Sequence, residues 1–115
     1  MTAIKNILVV EADESIRDAI KTLLKQRKYR VKEANSIKAC RESYDLDTFD
    51  LIISDLRLPD APGTDLIKTT TTPVLIMTSY SSIRSAIDTI KMGAADYLAK
   101  PINNDEIIET VAKLL

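Results

Sequence analysis

The chain has no histidine and a single cysteine, Cys40, among its 115 residues. Histidine is a frequent zinc ligand and the usual base beside a nucleophilic serine or cysteine, so its absence argues against both kinds of site. A lone cysteine cannot form a disulfide within the chain, and we therefore expect a reducing compartment, the cytoplasm.

An excess of charge of either sign is also missing, because 16 basic residues face 17 acidic ones and the formal net charge is −1. A general nucleic-acid-binding protein would carry a basic face, so we expect no direct contact with nucleic acid. The one basic cluster coincides with the predicted end of a helix, where cations complement the helix dipole. Its members are Lys25, Arg27, Lys28, Arg30 and Lys32.

Long hydrophobic runs are lacking as well. The apolar run near the amino terminus, residues 7–10, is far too short for a signal peptide or a membrane span. We expect no contact with a membrane. The length fits one domain, residues 1–115, which could be excised from a longer protein.

Short apolar runs alternate along the chain with apolar residues at helical spacing. The runs at residues 6–10, 29–34, 51–54, 74–78 and 96–99 have the length and composition of strands. Helices are predicted over about 15–26, around 37–44, around 83–90 and after Asn103, whose pairing with Glu106 is typical of a helix start. Between Asp65 and Pro73 four consecutive threonines predict a third helix that is short or irregular.

This alternation predicts an α/β fold, a doubly wound parallel sheet of five strands with helices on both faces. The order 2-1-3-4-5 of flavodoxin-like folds is a common solution. In such sheets ligands bind beyond the carboxyl ends of the strands, at the switch point between strands 1 and 3.

The residues at those strand ends define the candidate site. Asp55 follows the third strand, Thr78 closes the fourth and Lys100 follows the fifth, while Glu11, Ala12 and Asp13 follow the first. Carboxylates crowded in one crevice need a cation or a raised pKa, and Mg²⁺ prefers a few carboxylates together with water and phosphate oxygens. Carboxylate, metal, ammonium and hydroxyl together suit phosphoryl chemistry with Asp55 as nucleophile.

The sequence resembles a receiver domain of bacterial two-component response regulators, in particular the receivers of enhancer-binding transcription activators. The resemblance rests on "ILVVEADESIR", "DLIISDLRLPD" and "PVLIMTSYSSIRSAIDTIKMGAADYLAKPI", which together span most of the chain. It implies that Asp55 accepts a phosphoryl group from a sensor histidine kinase and that Lys100 contacts that group. It also implies a switch pair of Thr78 and Tyr97, and a cis peptide bond between Lys100 and Pro101.

The resemblance further implies an output face made by the fourth helix, fifth strand and fifth helix, which would dimerise or contact an output domain. Candidate residues on it are Arg84, Asp88, Lys91, Asp96 and Tyr97. Such a domain controls transcription without being an enzyme, apart from self-catalysed phosphotransfer and dephosphorylation.

One departure from the family pattern concerns the metal. Two adjacent acids normally follow the first strand, and here they are Glu11 and Ala12. The metal ligands would then be Glu11 and Asp55, with Asp13 as a further candidate one position late. We expect Mg²⁺ to bind weakly, since water or Glu11 must replace one carboxylate oxygen. Pro62 also stands where the family often has an acid, and the segment between Pro59 and Pro73 is shorter than usual.

Each site residue also has an ordinary structural interpretation. An aspartate after a strand is often a turn former or helix cap, a threonine is common in strands, and a lysine before a turn is often a surface residue. Ser15 fits a helix N-cap better than a ligand. The alternatives for the whole domain are a pseudo-receiver that only binds proteins, and a small hydrolase or flavin-binding protein. The acidic loop after the first strand argues against a flavin phosphate site, which would be rich in glycine, serine or threonine.

Overall fold

A computed structural model describes residues 3–79 and 82–115 and contains one parallel sheet of five strands in the order β2-β1-β3-β4-β5. The strands are β1 (Asn6–Val10), β2 (Arg30–Ala34), β3 (Leu51–Asp55), β4 (Val74–Thr78) and β5 (Asp96–Ala99). The fold class and strand order predicted from the sequence are confirmed. β3 includes Asp55 itself, one residue beyond the predicted end.

The described residues also form four α-helices and two 3-10 helices, of which all but the last α-helix lie between strands. The α-helices are α1 (Glu14–Gln26), α2 (Ile37–Ser43), α3 (Ile83–Lys91) and α4 (Asn104–Leu114), and the 3-10 helices are Leu46–Thr48 and Gly63–Thr69. The second 3-10 helix occupies the place of the predicted third helix, so α3 and α4 are the predicted fourth and fifth helices. None of the helices in the described ranges is long and apolar enough to cross a membrane.

Apolar side chains cover both faces of the sheet and form two separate clusters. One face packs against α1 and α4, through residues such as Ile20, Leu24, Ile107 and Val111. The other packs against α2 and the 3-10 helices, through residues such as Ile37, Cys40, Leu46 and Leu66. The three inner strands are buried on both sides, as the continuous apolar runs in their sequences predict.

The N-cap of α1 corrects one prediction. The cap is Asp13, whose side chain accepts a hydrogen bond from the Ile16 N–H, and Ser15 lies in the first turn. Either residue type suits a cap, and the helix begins one residue earlier than its apolar stripe suggests. The pairing of Asn103 with the Glu106 N–H at the start of α4 is confirmed.

Threonine side chains explain why the 3-10 helix Gly63–Thr69 ends where it does. Thr70 Oγ1 donates to Asp47 Oδ1 at 2.5 Å, and the Thr71 N–H donates to the same oxygen at 3.1 Å. Thr72 Oγ1 donates to the carbonyls of Leu46 and Phe49. The hydrogen bond from Thr70 lowers the pKa of Asp47. These hydrogen bonds hold the segment in a turn that replaces further helix.

The apolar stripe that predicts α3 is largely exposed. Ile83, Ile87 and Ile90 are 83%, 46% and 45% exposed, and the helix buries Thr89 instead. Gly93 ends the helix with a φ of 107°, a left-handed conformation that glycine adopts without strain. We call Ile83, Ile87 and Ile90 the α3 stripe.

Candidate functional site

Strand register brings the predicted site residues together at the carboxyl ends of the strands. Val10 of β1 lies opposite Ser54 of β3, so the residues that follow them, Glu11 and Asp55, are neighbours. Asp55 pairs with Met77 of β4, and Thr78 pairs with Ala99 of β5. The carboxyl ends of four adjacent strands therefore deliver two acids, a threonine and, directly after β5, Lys100.

Lys100 joins the two acids. Its Nζ contacts Glu11 Oε1 and lies 3.2 Å from Asp55 Oδ2. The side chains of Lys100 and Asp55 are 11% and 15% exposed, whereas that of Glu11 is 1% exposed. The Lys100 ammonium thus forms ion pairs with two carboxylates, in a crevice that opens to solvent at Asp55. The Lys100–Pro101 peptide bond is cis, as the resemblance implies.

Glu11 is the most deeply buried of the three side chains. Burial raises the pKa of its carboxyl, the hydrogen bond from Lys100 opposes that rise, and Asp55 adds to it. Its second oxygen, Oε2, accepts the Ala12 N–H at 3.0 Å. The carboxylate is therefore held between Lys100 and its own loop.

The backbone around Asp55 is fixed by a tight loop. The Leu56 N–H donates to the Met77 carbonyl at 2.7 Å, and the Gly63 N–H donates to the Leu56 carbonyl at 2.8 Å. Gly63 comes so close that a Cβ atom there would lie 2.1 Å from the Asp55 carbonyl oxygen. No periodic pattern in the sequence marks Gly63, although the chain has only two glycines and this one follows shortly after Asp55.

The loop after Asp55 is also tied to α2. Asp60 Oδ1 accepts the Ile37 N–H at 3.1 Å, and Oδ2 accepts the Lys38 N–H at 2.8 Å. The hydrogen bond from Lys38 lowers the pKa of Asp60. This contact joins residues far apart in sequence, and no local pattern predicts it.

The two predicted switch residues lie on adjacent strands and on the same face of the sheet. Thr78 is buried at the end of β4, and its carbonyl accepts the Lys100 N–H at 2.8 Å. Tyr97 pairs with Ile76, two residues before Thr78, so alternation along β4 directs Thr78 toward the Tyr97 side. Tyr97 is half-buried against the core cluster beneath α2.

The carboxylates at this site are ligands of the kind that Mg²⁺ prefers. Within residues 3–79 and 82–115, no group of three or more acidic, histidine or cysteine side chains is placed to hold a metal. Asp13 caps α1, its Oδ1 accepting the Ile16 N–H, and it stays a candidate ligand one position late. Glu11 and Asp55 are the predicted ligands, and Mg²⁺ accepts one or two carboxylates when water and phosphate oxygens complete its shell.

Comparison with known families identifies the domain. Residues 7–112 match the response regulator receiver domain. The chain belongs to this family. Among curated relatives, PilR of Pseudomonas aeruginosa is 35% identical and ZraR of Escherichia coli is 37% identical, over 94% and 96% of this chain. The chain spans about a quarter of the length of these relatives, 25% and 26%.

Solved receiver structures have the same fold. The receiver domain of a putative LuxO repressor from Vibrio parahaemolyticus is 31% identical, with a TM-score of 0.88, over 97% of this chain and 90% of that one. A response regulator from Burkholderia pseudomallei is 30% identical, with a TM-score of 0.78, over 92% of this chain and 65% of that one. That structure contains a phosphorylated aspartic acid, a calcium ion and citrate. The family predicted from the sequence is confirmed.

Proposed function

We propose that this receiver domain is a phosphoacceptor switch in which Asp55 takes a phosphoryl group from the phosphohistidine of a sensor histidine kinase. The observation that carries the proposal is the position of Lys100, whose ammonium lies 3.2 Å from Asp55 Oδ2 at the open edge of the sheet. A carboxylate that is partly exposed and paired with a fixed cation is placed to attack an electrophile and to stabilise the charge that follows.

The transfer is a substitution at phosphorus. A carboxylate oxygen of Asp55 forms the new P–O bond while the P–N bond to the kinase imidazole breaks. The electron pair of that bond stays on the imidazole nitrogen, which then takes up a proton. Lys100 neutralises oxygens of the transferred group as charge builds up. Mg²⁺, held by Glu11 and Asp55 with water, would supply further neutralisation.

Phosphorylation then replaces the single negative charge of the Asp55 carboxylate with the charge of about −1.5 to −2 on the phosphoryl group, which brings three acceptor oxygens into the crevice. Thr78, one residue beyond the strand partner of Asp55, would turn its hydroxyl toward the phosphoryl oxygens. The space that it leaves is on the Tyr97 face of the sheet, so Tyr97 would move inward. This change would reach the surface formed by α3, β5 and α4.

That surface is the proposed output face. It carries the exposed α3 stripe together with Arg84, Asp88, Lys91, Asp96 and Tyr97. It would form a homodimer or contact an output domain, and relatives named as transcriptional regulatory proteins support a role in control of transcription. The domain itself would act in the cytoplasm, contact neither DNA nor membrane, and catalyse only its own phosphotransfer and dephosphorylation.

The second candidate is a pseudo-receiver that binds proteins without phosphorylation. Ala12 favours it, because the site has one carboxylate fewer than the family pattern and Lys100 already contacts both of those present. In this case the resting ion pairs would be the functional state.

The intact mass of the protein after incubation with acetyl phosphate and Mg²⁺ distinguishes the two. We expect one phosphoryl adduct in the wild type and none in Asp55→Asn. Asp60→Asn is the matched control, because it removes an acid from the same loop without touching the acceptor, and it should still gain the adduct. A wild type without an adduct at high Mg²⁺ would support the pseudo-receiver.

A further inference from the structure

Arg17 of α1 contacts the loop that follows β1, next to the candidate site, although the sequence pattern gives this residue no role. Its Nη1 donates to the backbone carbonyl of Glu11 at 2.9 Å, and its Nε lies 3.5 Å from Glu33 Oε2 on β2. The Arg17 side chain is only 15% exposed. The planar guanidinium can serve both partners at once, which a lysine ammonium at the end of a flexible stem cannot do in the same geometry.

The contact with Glu11 fixes one particular peptide group, the one between Glu11 and Ala12. Its carbonyl accepts from Arg17, and its N–H donates to Glu11 Oε2 at 3.0 Å. The plane of this peptide is therefore held from both sides. The direction of its N–H sets the place of the Glu11 carboxylate, whose other oxygen holds Lys100.

A continuous series of polar contacts thus runs from the edge strand to the phosphoacceptor. It passes from Glu33 to Arg17, through the 11–12 peptide to the Glu11 carboxylate, and through Lys100 to Asp55. The contact between Arg17 Nε and Glu33 Oε2 is an ion pair without a hydrogen bond, whereas the contacts of Glu11 are hydrogen bonds that restrict the orientation of each partner.

We propose that Arg17 is a positioning residue for phosphoryl transfer, which holds the Glu11–Ala12 peptide and thereby sets Lys100 against Asp55. The inference rests on the proposed function of Asp55. The position of Glu11 matters more in this chain than in a receiver where a second acid follows this residue. Here the buried Glu11 is the sole described carboxylate besides Asp55 in contact with Lys100.

A purely electrostatic role for Arg17 toward Glu33 is distinguishable from this one. Lys21 Nζ lies 3.3 Å from the same oxygen of Glu33, so Glu33 keeps a cation when Arg17 is removed. The Glu11 carbonyl, in contrast, loses its side-chain donor. Lys21→Ala is therefore the matched control, since it removes a Glu33 partner and leaves the Glu11 contact in place.

The first test is the rate of Asp55 phosphorylation by acetyl phosphate at fixed Mg²⁺. We expect Arg17→Ala and Arg17→Lys to react about tenfold more slowly than the wild type, because small displacements of a positioned group slow a reaction by such factors. Lys21→Ala should react at the wild-type rate. Adding guanidinium ion, well below denaturing concentrations, should restore part of the rate of Arg17→Ala and leave Lys21→Ala unchanged. Equal rates in all variants would overturn the inference.

The second test does not depend on phosphorylation. The amide proton of Ala12 is hydrogen-bonded to a carboxylate, so its NMR chemical shift reports the peptide orientation. We expect this shift and that of the Lys100 ammonium to change in Arg17→Ala and to return with guanidinium ion, but to stay unchanged in Lys21→Ala. If the wild type takes no phosphoryl group, the proposed function fails and the amide shift alone decides the role of Arg17. An Ala12 shift unaffected by Arg17→Ala would refute it.

Discussion

Ala12 shows how much a single side chain decides at this site. Its methyl group is exposed at the crevice and supplies no ligand, so Glu11 and Asp55 are the described carboxylates that meet Lys100. With one positive and two negative charges, the resting site is close to balance without a metal ion. We therefore expect a divalent cation to bind this site more weakly than a site with three acids, where repulsion between carboxylates favours its binding.

Replacing Ala12 with aspartate should make the site more negative and so favour the binding of a divalent cation. We expect Mg²⁺ to bind Ala12→Asp at least about tenfold more tightly than the wild type, since ligand charge sets the affinity of such sites. In chelator, the same variant should have a lower free energy of unfolding because of the added repulsion. NMR titration with Mg²⁺ measures the first effect and urea denaturation the second.

The control for this substitution is Ala12→Asn, which has a similar size and no charge. It should bind Mg²⁺ more weakly than Ala12→Asp. In the presence of chelator, its free energy of unfolding should equal that of the wild type. If the wild type already binds Mg²⁺ as tightly as Ala12→Asp, the missing acid does not limit metal binding.

What the sequence reveals at this scale depends on where the partner of each residue lies. Asp55, Thr78 and Lys100 were predictable because each ends a recognisable strand, and parallel strands meet at one edge. Arg17 and Asp60 were not, because they bind backbone atoms, and neither apolar spacing nor a strand end marks such contacts in a sequence. Asp13 stays a candidate ligand, and the structure adds that its Oδ1 caps α1, which the apolar stripe of that helix did not predict.

Among the elements, the connection between β3 and β4 departs most from regular structure. Its threonines correctly predicted the absence of a long helix, but the anchoring of the segment by Asp47 could not be inferred from composition. The beginning of the same connection is set by Gly63, which packs directly against the backbone of Asp55. Backbone packing of this kind leaves no periodic pattern in a sequence.

The two glycines provide a test of this packing. A Cβ on Gly63 would lie 2.1 Å from the Asp55 carbonyl oxygen and 2.6 Å from Ser54 Oγ. We expect Gly63→Ala to reduce the free energy of unfolding by about 3 kcal/mol or more, at the upper end of overpacking effects, because the atoms that must move belong to the backbone of a buried strand. It should also slow phosphorylation by displacing Asp55.

Gly93→Ala is the comparison. Its φ of 107° penalises any side chain, but its nearest neighbour is a side-chain atom, the Cγ2 methyl of Ile67 at 3.1 Å, and not backbone. A cost of about 1–2 kcal/mol is expected from the backbone alone, with little effect on phosphorylation. Urea denaturation and the acetyl phosphate reaction measure both variants. Equal effects at the two glycines would contradict the special role of Gly63.

At the scale of the whole molecule, the reactive crevice and the proposed output face are separate surfaces joined by β4 and β5. Thr78 and Tyr97 lie on these two strands, so the sheet itself connects Asp55, the proposed phosphoacceptor, to α3. The sequence predicted this arrangement of strands and helices. It could not predict that the α3 stripe is exposed, because helical spacing shows that apolar residues share a face but not whether that face is covered.

Exposure of the α3 stripe leads to a prediction about self-association. Apolar residues grouped on one helix face favour a partner surface, and a net charge of −1 opposes the approach of a second copy only weakly. We expect the phosphorylated domain to dimerise more strongly than the unphosphorylated one, and we expect Ile87→Asp to abolish the difference by placing a charge in the stripe. Sedimentation velocity with and without acetyl phosphate measures the effect.

The control must carry the same change on another surface. Ile4 is 55% exposed, more than Ile87 at 46%. It precedes β1 and so lies at the amino-terminal ends of the strands, whereas Asp55 lies at their carboxyl ends. Ile4→Asp should therefore dimerise like the wild type if the interface is specific to the α3 stripe. Loss of dimerisation in both variants would indicate non-specific apolar association. A dimer that survives Ile87→Asp would place the interface elsewhere, because a buried unpaired carboxylate at its centre is too costly to be tolerated.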